Sequence, residues 1–257
     1  TSTELISGWK KLTSFPSDLP IVAQGNVWVA NIENAKNWQF RTLFDGEKML
    51  SRARSAGFIP TMECPAPSLA HRWEDLNTLG FPEGALRNWD NLEDVEIFIR
   101  PTHQWLVNYL PIEKVDENKN IATTRVSGTY RLCKVVNKDW DETCWVENVL
   151  EAMDEPGEWV LNSKTGKLYY WPESGNPGDN ISAPVVRELV LVEGKNVDAV
   201  EGDMPVRGII FDGLTFTGGD RDVWTVEDRG IQHDWDMFDK DNALVRFRGA
   251  MDCAVTN

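Results

Sequence analysis

The sequence predicts an all-β protein: incomplete rungs of a right-handed parallel β-helix in the C-terminal part, with a large inserted β-sandwich-like domain ahead of them. Three observations lead there. Residues 184–194 (PVVRELVLVEG), 206–218 (VRGIIFDGLTFTG) and 243–257 (ALVRFRGAMDCAVTN) alternate apolar, often β-branched, and polar residues at period two, as a strand with one buried face does. The centres of the first two runs lie about 20 residues apart, within the coil lengths of solenoids. Ahead of them, roughly 150 residues of short strand-like runs are punctuated by Gly, Pro, Asn and Asp, the pattern of a sandwich. We read the three C-terminal runs as successive rungs, with residues 218–242 thrown out as one long loop. Three strands of an ordinary antiparallel sandwich fit the same alternation. A β-helix needs several stacked coils and a cap, and the pattern stops at Asn257, so further coils or another closing element are expected. The expected domains are 1–15 (end of an early coil), 16–180 (insert) and 181–257 (resumed rungs).

In chain order, residues 4–9 (ELISGW) form a strand and turn, and two prolines in 15–25 mark a connection. An inserted domain must leave and re-enter its host at neighbouring coils, so these first residues are expected beside the strands after Pro184. NVWVANI (26–32) is a strand, and FRTLFDGEKMLSRAR (40–54) a hairpin with Asp45-Gly46 as its two-residue turn. Leu69, Trp73 and Leu76, spaced by four and three, predict a short amphipathic helix in 65–79, and 83–89 a further helical turn. Strands follow at 95–99, 105–111, 129–136, 144–150, 159–162 and 167–171. Between them, DEPG (154–157) is a turn in which Pro fixes φ and Gly takes positive φ, and KTG (164–166) is another. That places Trp159, Leu161, Leu168 and Tyr170 on one face as an aromatic core. Arg41, Arg52 and Arg54 read as buried partners of Glu147 or Asp154, suited to bidentate pairing.

Composition narrows the function classes. Hydrophobic content of 41% with 26% charged residues supports a real core. Lys and Arg number 26 against 41 Asp and Glu, a net charge of −15 that repels phosphate backbones and anionic membrane surfaces. Nucleic acid and membrane are therefore not expected partners. No apolar run approaches the roughly 20 residues of a spanning helix. Cys64, Cys133, Cys144 and Cys253 lack metal-type spacing, so neither a metal nor another cofactor is expected. Residues 129–148 read as a hairpin turning near 138–141, which sets Cys133 opposite Cys144; both the thiol pair and the disulfide stay open.

FRTLFDGEKMLSRAR, then WVENVLEAMDEPGEWVLNSKTGKLYYWP (145–172) and IIFDGLTF (209–216), resemble secreted carbohydrate-active proteins in which a pectate-lyase-like parallel β-helix is interrupted near its start by a β-sandwich. The nearest named relatives in that resemblance are glycoside hydrolase family 141 and uncharacterised neighbours. The resemblance implies a polysaccharide or oligosaccharide substrate and a secreted or periplasmic location. It also implies a catalytic pair of carboxylates on coils beyond Asn257. Oligomeric state is not implied.

Within the chain, the chemistry-bearing stretch is 218–242 (GGDRDVWTVEDRGIQHDWDMFDKDN). Glycosidic cleavage needs one carboxylic acid and a second carboxylate as base or nucleophile. Asp220, Asp222, Asp234 and Asp236 are the catalytic candidates. Trp224 and Trp235 can stack on pyranose faces, with Arg229 and His233 as further substrate-binding candidates. The expectation is that this long excursion lines a glycan groove, since long ordered loops tend to be functional. The competing structural role is a satellite core packed on the side of the solenoid. Three functions remain open at this level: a glycoside hydrolase, a noncatalytic carbohydrate-binding or adhesin-like β-helix, and, less suited to so acidic a loop, a polysaccharide lyase.

Overall fold

The computed structural model describes residues 2–64, 76–100, 107–135, 144–195, 204–223 and 243–257. Among these residues the protein is all-β, with helix confined to short 3-10 turns such as Leu92–Asp94 and Leu150–Ala152. The helix expected in 65–79 falls almost wholly outside them. No described helix is long and apolar enough to cross a membrane.

The larger of two main sheets has eight strands in the order Thr3–Leu5, Ile181–Pro184, Leu43–Asp45, Lys48–Arg52, Glu158–Asn162, Lys167–Tyr170, Trp28–Asn31 and Lys10–Lys11. All neighbours are antiparallel except Lys48–Arg52 with Glu158–Asn162. Trp159 lies opposite Tyr170 and Leu161 opposite Leu168, as the alternation predicts. These four bury fully with Phe40, Leu43, Leu50 and Ile181. The predicted hairpin is present, with its loop one residue later than expected. Asp45 pairs with Lys48, leaving Gly46-Glu47 as the loop, and Gly46 takes φ 59° at the position where two-residue loops favour glycine.

The second sheet has five antiparallel strands, Cys144–Glu147, Glu96–Ile99, Asn108–Asp116, Ile121–Thr124 and Thr78–Gly80. Ile97, Ile99, Leu110, Ile112, Cys144 and Val146 bury on one face with Phe58, Phe81 and Leu86. Period two puts Glu96, Phe98, Tyr109, Trp145 and Glu147 on the other. This sheet corrects the expected hairpin of 129–148. Cys144 sits opposite Ile99, whereas Lys134–Val135 pairs in parallel with Glu63–Cys64. The 96–99 strand wins because it matches apolar Cys144 and Val146 with Ile99 and Ile97 on the same buried face. Cys133 is in a disulfide and Cys144 keeps a buried thiol, so the two are not bonded to each other.

After residue 189 the pairing changes character. Val190–Glu193 runs parallel to Val245–Arg248, Val206–Arg207 to Ala250–Met251, and Ile210–Asp212 to Ala254–Thr256. The expected three successive rungs are therefore two layers. The first two runs lie end to end in one layer, and the third run, short as it is, matches both. A Cβ on Gly194 would meet the Gly249 carbonyl oxygen at 2.6 Å, so the layers touch backbone to backbone there. Phe211 packs edge-on against Phe216 and Phe247 at 5.6 and 5.8 Å.

The first residues pair with the strand that ends at Pro184 rather than with the strands after it, and it is Ser2 that reaches beyond Pro184. Thr3–Leu5 pairs with Ile181–Pro184, the Val185 N–H donates to the Ser2 carbonyl (2.9 Å), and Ser2 Oγ donates to the Thr217 carbonyl (3.2 Å).

Candidate functional site

The strand Lys48–Arg52 runs along a groove of ≈ 550 Å³. Arg41, Arg52, Arg54, Tyr109, Glu147 and Arg221 line one end, and Lys48, Glu155, Gly157, Glu158 and Glu173 line the other. At about 3.3 Å per residue the strand spans roughly 13 Å between Lys48 and Arg52, the length of a short oligosaccharide.

At the first end, the outward face of the five-stranded sheet meets arginines from three other segments. Glu96 and Glu147 are directly opposed in register, a destabilising like-charge pair if left alone. Arg52 resolves it: Nη1 lies 2.5 Å from Glu96 Oε2 and 3.6 Å from Glu147 Oε2. Arg41 Nε reaches Glu96 Oε1 at 3.3 Å, and both terminal nitrogens of Arg221 also donate to Glu96. The Glu96 side chain is only 2% exposed. Burial pushes its pKa up, but Arg52, Arg221 and Arg41 outweigh burial and hold it down at about 2. Magnitudes explain the outcome. One ion pair at 4 Å yields about 4 kcal/mol at an effective dielectric of 20, while burying an ion costs several kcal/mol. Three guanidiniums on one carboxylate exceed that cost. The arginines fare less well: burial lowers the pKa of Arg41, Glu96 opposes this, and Arg52 and Arg221 lower it further.

Next to this hub stands an aromatic row set by strand register. Trp145 stacks on Phe98 at 3.7 Å with planes 8° apart, and Phe98 meets Tyr109 edge-on at 5.1 Å. Arg54 lies 5.5 Å from the Trp145 centroid and Arg221 4.5 Å from that of Tyr109, both within cation–π range. At the other end, Lys48 pairs with Glu173 at 2.6 Å. Glu158 Oε2 accepts the backbone N–H groups of Asp154 (2.8 Å) and Glu155 (3.1 Å), closing the DEPG turn, while burial raises its pKa. Gly157, at φ 95°, completes that turn as predicted.

The arginines expected to be ion-paired divide. Arg52 does reach Glu147, but the main partner of Arg41 and Arg52 is Glu96, and Arg54 rests on an aromatic face rather than on Glu147 or Asp154. Glu96 was missed, although an acid inside the apolar run VEIFI is its signal. So was Asn148, buried at φ 70°. Its amide exchanges two hydrogen bonds with Leu161 (2.7 and 2.8 Å) and donates to the Asp94 carbonyl (3.3 Å), joining the two sheets.

Of the candidates in 218–242, two are described. Asp220 accepts the Arg41 backbone N–H with both oxygens (2.9 and 3.1 Å) and the Thr42 hydroxyl (3.1 Å), while its own N–H donates to the Val186 carbonyl. It thus fastens the C-terminal segment to the large sheet and seats Arg221 in the groove. Asp222 pairs with Arg187 at 3.0 Å. Asp234, Asp236, Trp224, Arg229, His233 and Trp235 lie outside the described residues. Among the described residues no group of three His, Cys, Asp or Glu side chains is placed to hold a metal ion.

Comparison with known proteins decides the family. The model of the GH141 insertion domain matches residues 25–173, more than half of the chain. The chain belongs to the GH141 insertion-domain family. All the groove residues except Arg221 fall within the GH141 match, and Arg221 comes from the segment behind it. A solved structure named a glycoside hydrolase has a similar fold, with a TM-score of 0.57 and 22% identity over 86% of this chain and 36% of its own. The chain therefore spans about a third of that protein's length. No curated protein matches.

Proposed function

We propose that this chain is part of a secreted or periplasmic glycoside hydrolase, in which a β-sandwich interrupts a pectate-lyase-like parallel β-helix and its groove holds a polysaccharide or oligosaccharide. The observation that carries this reading is the groove itself: a sugar-sized cleft built almost wholly from the GH141 insertion domain and completed by Arg221 from the following segment. Its Tyr109 ring, arginines and carboxylates are what sugar C–H faces and hydroxyls require. The three parallel pairings after residue 189 support a β-helix, and on this reading the domains are 1–15, 16–180 and 181–257. The disulfide at Cys133 supports an oxidising compartment.

Hydrolysis on this reading uses one carboxylic acid and one carboxylate as base or nucleophile. Asp220 and Asp222 are engaged in holding the fold, so within this chain Asp234 and Asp236, with His233, Arg229 and the stacking Trp224 and Trp235, are the residues to test. The engagement of the two described aspartates also favours a second reading, a noncatalytic glycan-binding protein. A panel of immobilised polysaccharides tests the groove: the protein is retained on at least one of them, and Ser51→Trp, which fills the groove from its exposed edge, abolishes retention. Retention unchanged in a folded Ser51→Trp protein, or no retention on any polysaccharide, refutes the groove as the glycan site. Reducing sugar released by the wild type and lost in Asp234→Asn or Asp236→Asn separates hydrolase from binding protein.

A further inference from the structure

We propose that the arginine end of the groove holds the carboxylate of an acidic sugar, a uronic acid residue of the glycan. The inference rests on the groove being a glycan site and adds the charge of its occupant.

Four guanidiniums, from Arg41, Arg52, Arg54 and Arg221, converge on this end of the groove. Three of them, Arg41, Arg52 and Arg221, share the carboxylates of Glu96 and Glu147. A third nearby acid, Asp220, already accepts a backbone N–H and a hydroxyl. Arginine stays charged in proteins, so positive charge remains in excess. Two groups carry that excess visibly. Arg52 Nε is buried without a hydrogen-bond partner, on a side chain 7% exposed. Arg54 meets no carboxylate within ion-pair distance among the described residues and rests on the face of Trp145. A buried donor such as Arg52 Nε is costly to leave unsatisfied, whereas the Arg54 guanidinium is exposed at the groove and open to a ligand. A planar carboxylate is the matching acceptor for a guanidinium.

The setting sharpens the argument. The whole chain carries a charge of −15, so its long-range field repels anions. A cationic pocket in such a protein holds an anion by short-range geometry rather than by general attraction. The groove is also dipolar. Its far end, where Lys48 is already paired with Glu173, offers the carboxylates of Glu155 and Glu173 as hydroxyl acceptors. A short oligosaccharide with a uronate residue fits both ends, the uronate carboxylate on the arginines and hydroxyls of the neighbouring sugar toward the glutamates. A neutral sugar satisfies only the second, and a polyanion such as a heavily sulfated chain is repelled by it.

Calorimetric titration of the whole chain with digalacturonate and with its neutral counterpart galactobiose tests the proposal. The wild type is expected to bind digalacturonate at least about tenfold more tightly, with binding weakened by added salt. Arg54→Gln, which lies outside the Glu96 hub, is expected to remove most of that difference while leaving the melting temperature unchanged. Equal affinity for the two sugars, or an acidic preference that survives Arg54→Gln, overturns the carboxylate site while leaving the glycan groove intact. Binding of neither, with polysaccharide retention still abolished by Ser51→Trp, overturns it as well. If retention itself fails, the groove reading and this one fall together.

Discussion

The sheets that wall the groove and the parallel pairs after residue 189 are made from sequences of the same alternating kind, yet they bury it differently. In the five-stranded sheet one face is closed by Phe58, Phe81 and Leu86, and the other carries Glu96 under three arginines. In the two parallel layers, Ile210 is 63% exposed and Val255 58%, while Phe211, Phe216 and Phe247 are only partly covered. Alternation decides which face a residue takes; burial depends on what lies across from that face. Stability in the first region is therefore internal. In the second it leans on junctions with the first, above all Asp220 and the strand Thr3–Leu5.

The contrast can be broken most severely at Glu96. Glu96→Ala leaves Arg41, Arg52 and Arg221 facing one another in a closed site, and removing one partner of a buried pair costs about 3–5 kcal/mol. Urea denaturation should show that loss. A loss under about 1 kcal/mol would mean that the hub relaxes into solvent.

Acid should attack the same point. Glu96 has a folded pKa of about 2 against 4.5 ordinarily, so its contribution is fully present above pH 4.5 and disappears as pH falls toward 2. A shift of this size corresponds to roughly 3 kcal/mol. Glu158, Glu151 and Asp94, raised by burial, act in the opposite sense: each favours the fold while protonated and detracts as pH rises through its raised value. Stability measured between pH 5 and 2.5 should fall in the wild type and fall less steeply in Glu96→Gln. Parallel slopes would remove Glu96 from the acid transition.

A smaller effect is expected at the junction. Asp220→Ala leaves the Arg41 N–H without its acceptor and loosens Arg221, at a cost of about 1–3 kcal/mol. Hydrogen exchange should rise in 186–193 and 244–248 more than in 96–99. Exchange rising equally everywhere would mean that the two regions open together.

Least affected should be the exposed layer. Val255→Ala is expected within about 0.5 kcal/mol of wild type, against about 2–5 for Leu110→Ala in the closed core. Equal costs would show that the apolar face of the layers is covered in solution.

Much of this contrast was legible in the sequence and part of it was not. The strands read at 26–32, 40–54, 95–99, 159–162 and 167–171 are present at 28–31, 43–52, 96–99, 158–162 and 167–170, because apolar runs and turn residues that are neighbours along the chain carry that signal. Local turn chemistry at Gly157 and Gly166 was readable for the same reason. Partner choice was not. Cys144 fits several apolar strands equally well on pattern, and only the three-dimensional neighbourhood selects Ile99. The two layers looked like three rungs because residues 190–193 and 206–212 each resemble a full rung, and only pairing shows that both answer to 245–256. Glu96 reads locally as a misplaced charge in VEIFI. Its meaning arises from Arg41, Arg52 and Arg221, the last of them 125 positions away.

The pairing of Thr3–Leu5 with Ile181–Pro184 sets a timetable for biosynthesis. A chain made from its N-terminus at about 5–20 residues per second must wait roughly 10–35 s between these two strands. Throughout that interval Leu43–Asp45 lacks the neighbour that Ile181–Pro184 supplies, and so presents an open sheet edge. Closure over so large a sequence separation is slow, because the loop entropy is lost before the contact forms. The newborn chain thus passes through a stage in which its hairpin and groove strands exist but the border of the sheet is unsealed, and a chaperone that shields strand edges would act there.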